Sequence, residues 1–251
     1  MKEIYFIRHG QTDWNKKGLG QGQEADIPLN DEGREQVRKS ALYLKKYRIV
    51  DKNFDCIMAS PMKRTKESAE IIKNVIGCKN DIEYLDILKE RKHGKLSGAD
   101  KVNPLMVKIN EFEKKMLSDD PIDKIIKMDK LKEVENEKFN VGFENNATLE
   151  KRLMPFIDIL IKSQCKKILV VGHGGALLSL IRTLFKIIKV PEGNFDNGNN
   201  CWISYIVFKN NEFKLLSPPN TEHLGLKLDS DSIQNRFSSK KEFITINKTS
   251  L

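Results

Sequence analysis

The chain is predicted to adopt an α/β fold, a three-layer α/β/α sandwich around a mostly parallel central sheet. Two observations carry that expectation. Short apolar runs, each followed by turn or helix-start chemistry, recur along the chain. Between them lie segments whose apolar residues fall at helical spacing. Strands that alternate with helices in this way pair in parallel and take helices on both faces. At 251 residues the chain suits one large domain, long enough to bury a core without disulfide staples.

The elements follow in order. Glu3 to Ile7 reads as a first buried strand. Asp31 to Tyr47 reads as an amphipathic helix, with Val37, Ala41 and Leu44 on one face and Asn30 placed to cap it. Phe54 to Met58 is a second strand. The next helix opens at Ser60-Pro61, with Ser60 as N-cap and Pro61 in the first helical position. It runs through Ala69, Ile72 and Ile76 and stops at Gly77. A further helix covers roughly Leu149 to Lys162, a third strand Lys167 to Val171, and a fourth helix runs from after Gly174 to about Lys186. Trp202 to Phe208 and Glu212 to Leu216, joined across Asn210-Asn211, read as a late hairpin. Two regions fit less well. Residues 99–146 are lysine-rich and partly helical in pattern, with a break at Asp119-Asp120-Pro121, and read as an insertion packed over one end of the sheet. The tail from 225 is polar and weakly periodic, either disordered or docked elsewhere. The whole of 1–251 is expected to be a single domain with these two additions.

Composition narrows the function classes. Hydrophobic residues make up 39% and mean hydropathy is −0.49, values of a soluble globular chain. No apolar run is long enough to span a bilayer, and the apolar stretch at the N-terminus is too short for a secretory signal. The four cysteines, Cys56, Cys78, Cys165 and Cys201, form no C-x-x-C pair. That argues against a zinc knuckle or disulfide framework and for a reducing, cytoplasmic setting. The 44 Lys and Arg against 35 Asp and Glu give a net charge of +9, which favours anionic ligands. Much of that excess reads as solvated surface lysine. Nucleic acid is not the expected partner, because no RNP motif, zinc finger or basic region interleaved with aromatics is present. Among anions, phosphorylated small molecules and anionic lipid stay open on composition, with no membrane-spanning role expected and a homo-oligomer left open.

Histidine is scarce, with four in all: His9, His93, His173 and His223. Two share a context. Ile4-Tyr5-Phe6-Ile7-Arg8-His9-Gly10 and Ile168-Leu169-Val170-Val171-Gly172-His173-Gly174-Gly175 are both apolar strands ending in His-Gly. Ligands of open α/β sheets bind beyond the carboxyl ends of the strands, so both imidazoles are expected in that crevice. The glycines, Gly174 among them, allow backbone N–H groups to approach an anion closely. Arg8 precedes His9, and Arg64 lies in the first turns of the helix after the second strand. Two guanidinium groups and two imidazoles would make a pocket for a dianionic, tetrahedral group, since the guanidinium fork matches phosphate oxygens.

Arg8-His9-Gly10-Gln11-Thr12-Asp13-Trp14-Asn15 resembles the R-H-G-[EQ]-[ST]-x-x-N signature of the histidine phosphatase superfamily, the phosphoglycerate-mutase-like fold. The likeness continues through Gln21-Gly22, Pro28-Leu29-Asn30-Asp31-Glu32-Gly33, Ser60-Pro61-Met62-Lys63-Arg64-Thr65, Leu88-Lys89-Glu90-Arg91, Gly94-Lys95-Leu96-Ser97-Gly98 and Val171-Gly172-His173-Gly174-Gly175. It covers about 1–98 and 145–224, with 99–146 poorly matched.

The resemblance implies a mechanism. His9 would attack phosphorus and form a phosphohistidine. Arg8, Arg64 and His173, the last as imidazolium or N–H donor, would surround the phosphoryl oxygens in place of a metal, and no metal or other cofactor is expected. Asn15 and Gln21 resemble the polar contacts to phosphate and substrate. Glu90 resembles the general acid, its pKa raised by partial burial and by the nearby phosphate dianion, and it would then activate water. His93, in Lys92-His93-Gly94, would face the pocket from the Glu90 loop or lie on the surface.

Phosphatases and mutases of the superfamily share this core. The stretch Asn110 to Leu117 lacks the Arg-Arg pair and proline run of bisphosphoglycerate-dependent mutases, although Lys101 and Arg91 stand near positions where such mutases bind substrate. Gly20-Gln21-Gly22-Gln23 and the ending Ser217 to Leu224 are more similar to the broad-specificity phosphatase branch, and Glu144-Asn145-Asn146-Ala147-Thr148 loosely resembles its segment before a late helix. Hydrolysis of small phosphomonoesters is therefore the first expectation. Interconversion of 2- and 3-phosphoglycerate, with 2,3-bisphosphoglycerate as cofactor, is the second. A non-catalytic phospho-ligand scaffold is the third, and it has no need to keep His9, Arg8, Arg64, Glu90 and His173 together. Specificity is expected from 99–146.

Overall fold

The computed structural model describes residues 1–47, 53–100, 102–105, 107–108, 111, 138–185 and 199–225. Its centre is a six-stranded sheet in the order β3-β2-β4-β1-β5-β6. Strand β1 is Lys2–Arg8, β2 Cys56–Ala59, β3 Ile82–Tyr84, β4 Lys167–Gly172, β5 Ile203–Lys209 and β6 Glu212–Asn220. Strands β1, β4, β2 and β3 pair in parallel, and β5 and β6 add an antiparallel hairpin beside β1. The α/β sandwich with a mostly parallel sheet is therefore present. The hairpin turns at Asn210-Asn211, both at positive φ, the conformation asparagine tolerates best after glycine.

Helices α1 (Asp13–Lys16), α2 (Asp31–Tyr47), α3 (Lys63–Ile76), α4 (Asn146–Lys162) and α5 (Gly174–Phe185) flank the sheet. Side chains alternate across the strands, so each face feeds its own core. Ile4, Phe6, Met58, Ile168 and Val170 meet Leu149, Leu153, Phe156 and Leu160 of α4 and the apolar stripe of α5 on one face. Tyr5, Ile7, Ile57, Leu169 and Val171 meet Val37, Ala41 and Leu44 of α2 and Ala69 and Ile72 of α3 on the other. Each such large side chain contributes about 1.5–3 kcal/mol on burial. That outweighs the cost of Pro155 inside α4, which removes one helix hydrogen bond.

Some expected boundaries are corrected. Helix α3 starts after Met62, not at Ser60-Pro61, and its cap makes no side-chain hydrogen bond. Ser60 stands two residues before that cap, where its hydroxyl accepts the Met62 N–H at 3.4 Å and also meets His173 at 2.8 Å. Helix α4 begins earlier than expected, at Asn146, where Asn145 Oδ1 accepts the Thr148 N–H at 2.8 Å. Strand β3 and the one-turn helix α1 were not anticipated. Most of 99–146, the helix end at Lys186 and the tail beyond Gly225 lie outside the described residues. Among the described residues no helix is long and apolar enough to cross a membrane.

Candidate active site

The carboxyl ends of β2, β4 and β1 stop level with one another. The His9 N–H donates to the Gly172 carbonyl at 3.0 Å, and the Ser60 N–H to that of Val171 at 3.1 Å. This edge carries Ser60, His173 and His9 side by side. The two catalytic candidates His9 and His173 lie with ring centroids 5.3 Å apart and planes at 64°.

Each ring is held in one tautomer by a partner of fixed role. The Gly10 carbonyl, 2.7 Å from Nδ1 of His9, can only accept, so Nδ1 carries the hydrogen and Nε2 keeps its lone pair. Nε of Arg64 can only donate, and it points at Nδ1 of His173 at 3.2 Å. His173 therefore carries its hydrogen on Nε2, which donates to Ser60 Oγ at 2.8 Å. Burial first, then the Arg64 and Arg8 guanidiniums, holds the His9 pKa well below the ordinary histidine value, against a smaller opposing pull from the Gly10 carbonyl. Burial and Arg64 likewise hold His173 well below it. The imidazolium expected as one form of His173 is thus not the form of this arrangement, which keeps both rings neutral at pH 7.

Arg64 is fully buried, and its other nitrogens donate to the carbonyls of Ala25 and Gly22 at 3.2 and 3.3 Å. Burial lowers its pKa to about 10, so it stays cationic at neutral pH. Arg8 donates to the Asn199 carbonyl at 3.0 Å, and its Nε lies 3.2 Å from where a Cβ on Gly174 would stand. A buried guanidinium whose hydrogen-bond partners are two carbonyls and a neutral imidazole is poorly compensated, which makes this edge receptive to an anion.

Glu90 approaches from the far side. Its carboxylate accepts the N–H groups of Gly175 and Ala176, at the start of α5, at 3.0 Å each, and that of Arg91 at 2.8 Å. Arg91 reaches Asn146 Oδ1 at 2.7 Å and lies over the Phe143 ring at 5.3 Å. His93 also packs on Phe143, with centroids 5.8 Å apart, and burial lowers its pKa. The oxygen of Asn15 accepts from the Thr12 N–H at 3.2 Å and from Asn200 Nδ2 at 3.1 Å, so it closes the cap of α1. Gln21 accepts the Thr12 hydroxyl at 2.8 Å, and its buried Nε2 has no hydrogen-bond partner among the described residues. A polar cleft of about 940 Å³ opens on the Asn15 side, lined by Gln11, Asn15, Gln36, Asn200 and Thr221 but by neither His9 nor His173. Lys101 and the stretch Asn110 to Leu117, apart from Glu111, lie outside the described residues.

Sequence reasoning missed three groups. Ser60 has the local form of a cap, yet its hydroxyl meets His173. Asn200, whose Nδ2 lies 3.2 Å from the carbonyls of both His9 and Gly10, sits far along the chain in no recognisable motif. Arg152 reaches the Glu90 loop from α4. Among the described residues no three His, Cys, Asp or Glu side chains converge as metal ligands.

A neutral imidazole, two guanidiniums and a carboxyl group at one end of the sheet suit a phosphoryl-transfer site. The chain belongs to the histidine phosphatase superfamily (branch 1), whose profile matches residues 4–221, and it is an enzyme of that class. It is 40% identical over 98 residues to an uncharacterised phosphatase, PhoE, of Bacillus subtilis, a match covering 39% of this chain and 47% of that relative. It is 30% identical over 188 residues to a probable phosphatase of Schizosaccharomyces pombe, covering 73% of each. It is 28% identical over 209 residues to a probable phosphoglycerate mutase, GpmB, of Photorhabdus laumondii, covering 83% of this chain and 86% of that one. The crystal structure of a phosphoglycerate mutase from Bacillus anthracis shares the fold, with a TM-score of 0.71 at 21% identity over 89% of this chain and 95% of that one.

Proposed function

We propose that the protein is a phosphatase of small phosphomonoesters that works through a phosphohistidine at His9. The observation that supports it best is the bond from His9 Nδ1 to the Gly10 carbonyl, which leaves Nε2 with its lone pair among Arg8, Arg64 and His173. In the first half-reaction Nε2 attacks phosphorus, the bond to the leaving oxygen breaks, and that oxygen takes a proton from Glu90. In the second, water attacks the phosphohistidine, gives its proton back to Glu90, and the P–N bond breaks to release inorganic phosphate and restore the lone pair. Arg8 and Arg64 supply the positive charge that phosphoryl transfer needs at its equatorial oxygens. Arriving phosphate adds its negative charge to that which Glu90 and Asp26 already hold near Arg64. Gln21 Nε2, buried without an acceptor among the described residues, suits a phosphate or substrate oxygen. The reaction in this reading takes no metal and no cofactor, and we place it in a reducing cytoplasm, in line with the free thiols of all four cysteines.

A second reading is supported by the mutase names among the relatives and by Arg91, which stands next to Glu90. A mutase would be an isomerase of glycolysis primed by 2,3-bisphosphoglycerate. One experiment separates the two: isomerisation of 3-phosphoglycerate with and without 2,3-bisphosphoglycerate, beside hydrolysis of p-nitrophenyl phosphate. Hydrolysis faster than isomerisation, with acid-labile ³²P trapped on His9, is the expected result. Isomerisation far above hydrolysis would reverse the order, and no label on His9 would remove the mechanism.

A further inference from the structure

The chain that carries Glu90 has little regular structure of its own, for Lys89 to His93 lie outside helix and strand. One side chain gathers it. Arg152, in the second turn of α4 and mostly buried, donates from Nη1 to the carbonyls of Ile87 and Lys89 at 2.7 and 3.1 Å, and from Nη2 to that of Glu90 at 3.3 Å. The other side of the fork grips Glu144, Nε to Oε1 at 2.8 Å and Nη2 to Oε2 at 2.9 Å. Glu144 in turn accepts the Lys92 N–H at 3.2 Å, and its own N–H donates to the Lys92 carbonyl at 3.0 Å. Burial acts to raise the Glu144 pKa, but the Arg152 bond and charge outweigh it and bring it below the usual carboxylate value. The pair is therefore ionised at neutral pH.

We infer that Arg152, braced by Glu144, is the positioning residue for Glu90; this rests on Glu90 being the proton donor. The carboxyl of Glu90 is held by the first N–H groups of α5, while its main chain is held by Arg152 from α4. Two helices that pack together thus fix the two ends of one residue. Only a planar five-donor fork can serve three carbonyls and both oxygens of a carboxylate at once; a lysine ammonium is a single point on a flexible stem. Loss of the fork leaves the pocket's guanidiniums and His9 in place but frees the loop, so protonation of the leaving oxygen is what suffers.

The test compares kcat/KM, which reports phosphorylation of His9, on β-glycerophosphate and on p-nitrophenyl phosphate. An alkoxide needs the proton, and p-nitrophenolate leaves without it. Arg152→Lys is expected to lower kcat/KM on the alkyl ester at least about tenfold more than on the aryl ester, as Glu90→Gln does. In a Glu90→Gln background Arg152→Lys is expected to add less than about threefold, because both changes act on one step. Equal losses on the two esters, or full additivity, would overturn the inference. Should Glu90→Gln itself show equal losses, the assignment of Glu90 as proton donor is what fails. Glu144→Gln, read by the same ratio, decides the matter if Arg152→Lys does not fold.

Discussion

Ser60 Oγ lies 2.8 Å from Nε2 of His173, at the buried floor of the site. Arg64 takes the opposite ring nitrogen, so the ring is pinned from both ends. Ser60→Ala removes one pin and leaves a buried N–H unsatisfied, which costs about 1–3 kcal/mol of stability. The freed ring can swing or change tautomer. A tenfold fall in kcat, the worth of roughly one hydrogen bond, is expected with little change in KM. Steady-state kinetics on p-nitrophenyl phosphate check it, and an unchanged kcat would take Ser60 out of the machinery.

Gly175 offers a substitution in which stability and activity part. A Cβ there would stand 2.6 Å from Glu90 Oε1. Helix α5 itself gains from alanine, by up to about 1 kcal/mol. Gly175→Ala is therefore expected to melt no lower than the parent yet to lose activity on alkyl phosphates, by about tenfold or more. Thermal unfolding alongside kcat/KM on β-glycerophosphate reads both, and full activity in a stable variant would show that the carboxyl need not stay where it is.

Much of this site was legible because two strands announce themselves locally. Ile4 to Gly10 and Ile168 to Gly175 each join an apolar run to His-Gly, and strand ends in an α/β sheet collect at one edge. What escaped was whatever depends on distance. Strand β3 is only Ile82–Tyr84 at a sheet edge, too short for any periodicity. Helix α1 is one turn, visible only as a Thr12–Asn15 capping box. Ser60 followed by Pro61 has the local form of a cap, and its hydroxyl also meets a histidine 113 residues away. Asn200 reaches His9 across 191 residues, and Arg152 reaches Glu90 across 62. Local pattern carries no trace of such pairings.

The tautomers can be read directly. His9 is expected as the neutral Nδ1–H form and His173 as the neutral Nε2–H form, because Gly10 can only accept and Arg64 can only donate. Both pKa values are held down, by burial first and then by guanidinium charge in each case, so both rings stay neutral on acidification through pH 6.5. ¹H–¹⁵N correlation of the imidazole nitrogens in the ligand-free protein at pH 6 should show one protonated and one bare nitrogen in each ring. Imidazolium shifts for His9 at that pH would contradict a nucleophile kept ready by its surroundings.

His223 makes a separate prediction about stability. It is buried away from solvent, tilted by 32° against Tyr43 with centroids 5.2 Å apart, and hydrogen-bonded to Ser40 at 2.9 Å. Ser40 donates its own proton to the Gln36 carbonyl, so Nε2 of His223 is the donor to Ser40. Burial lowers its pKa to about 4 from the ordinary 6.5. Above pH 6.5 neither folded nor unfolded chain binds a proton there, and the contribution is whole. Between pH 6.5 and about 4 the unfolded chain binds the proton and the folded one does not, so stability falls as pH falls. The full window is worth on the order of 3 kcal/mol from this ring alone. His223→Phe keeps a flat ring beside Tyr43 and removes the titration. Urea unfolding from pH 7 to pH 4.5 should show a shallower loss of stability in His223→Phe than in the parent, and parallel pH curves would mean that this histidine is not buried neutral.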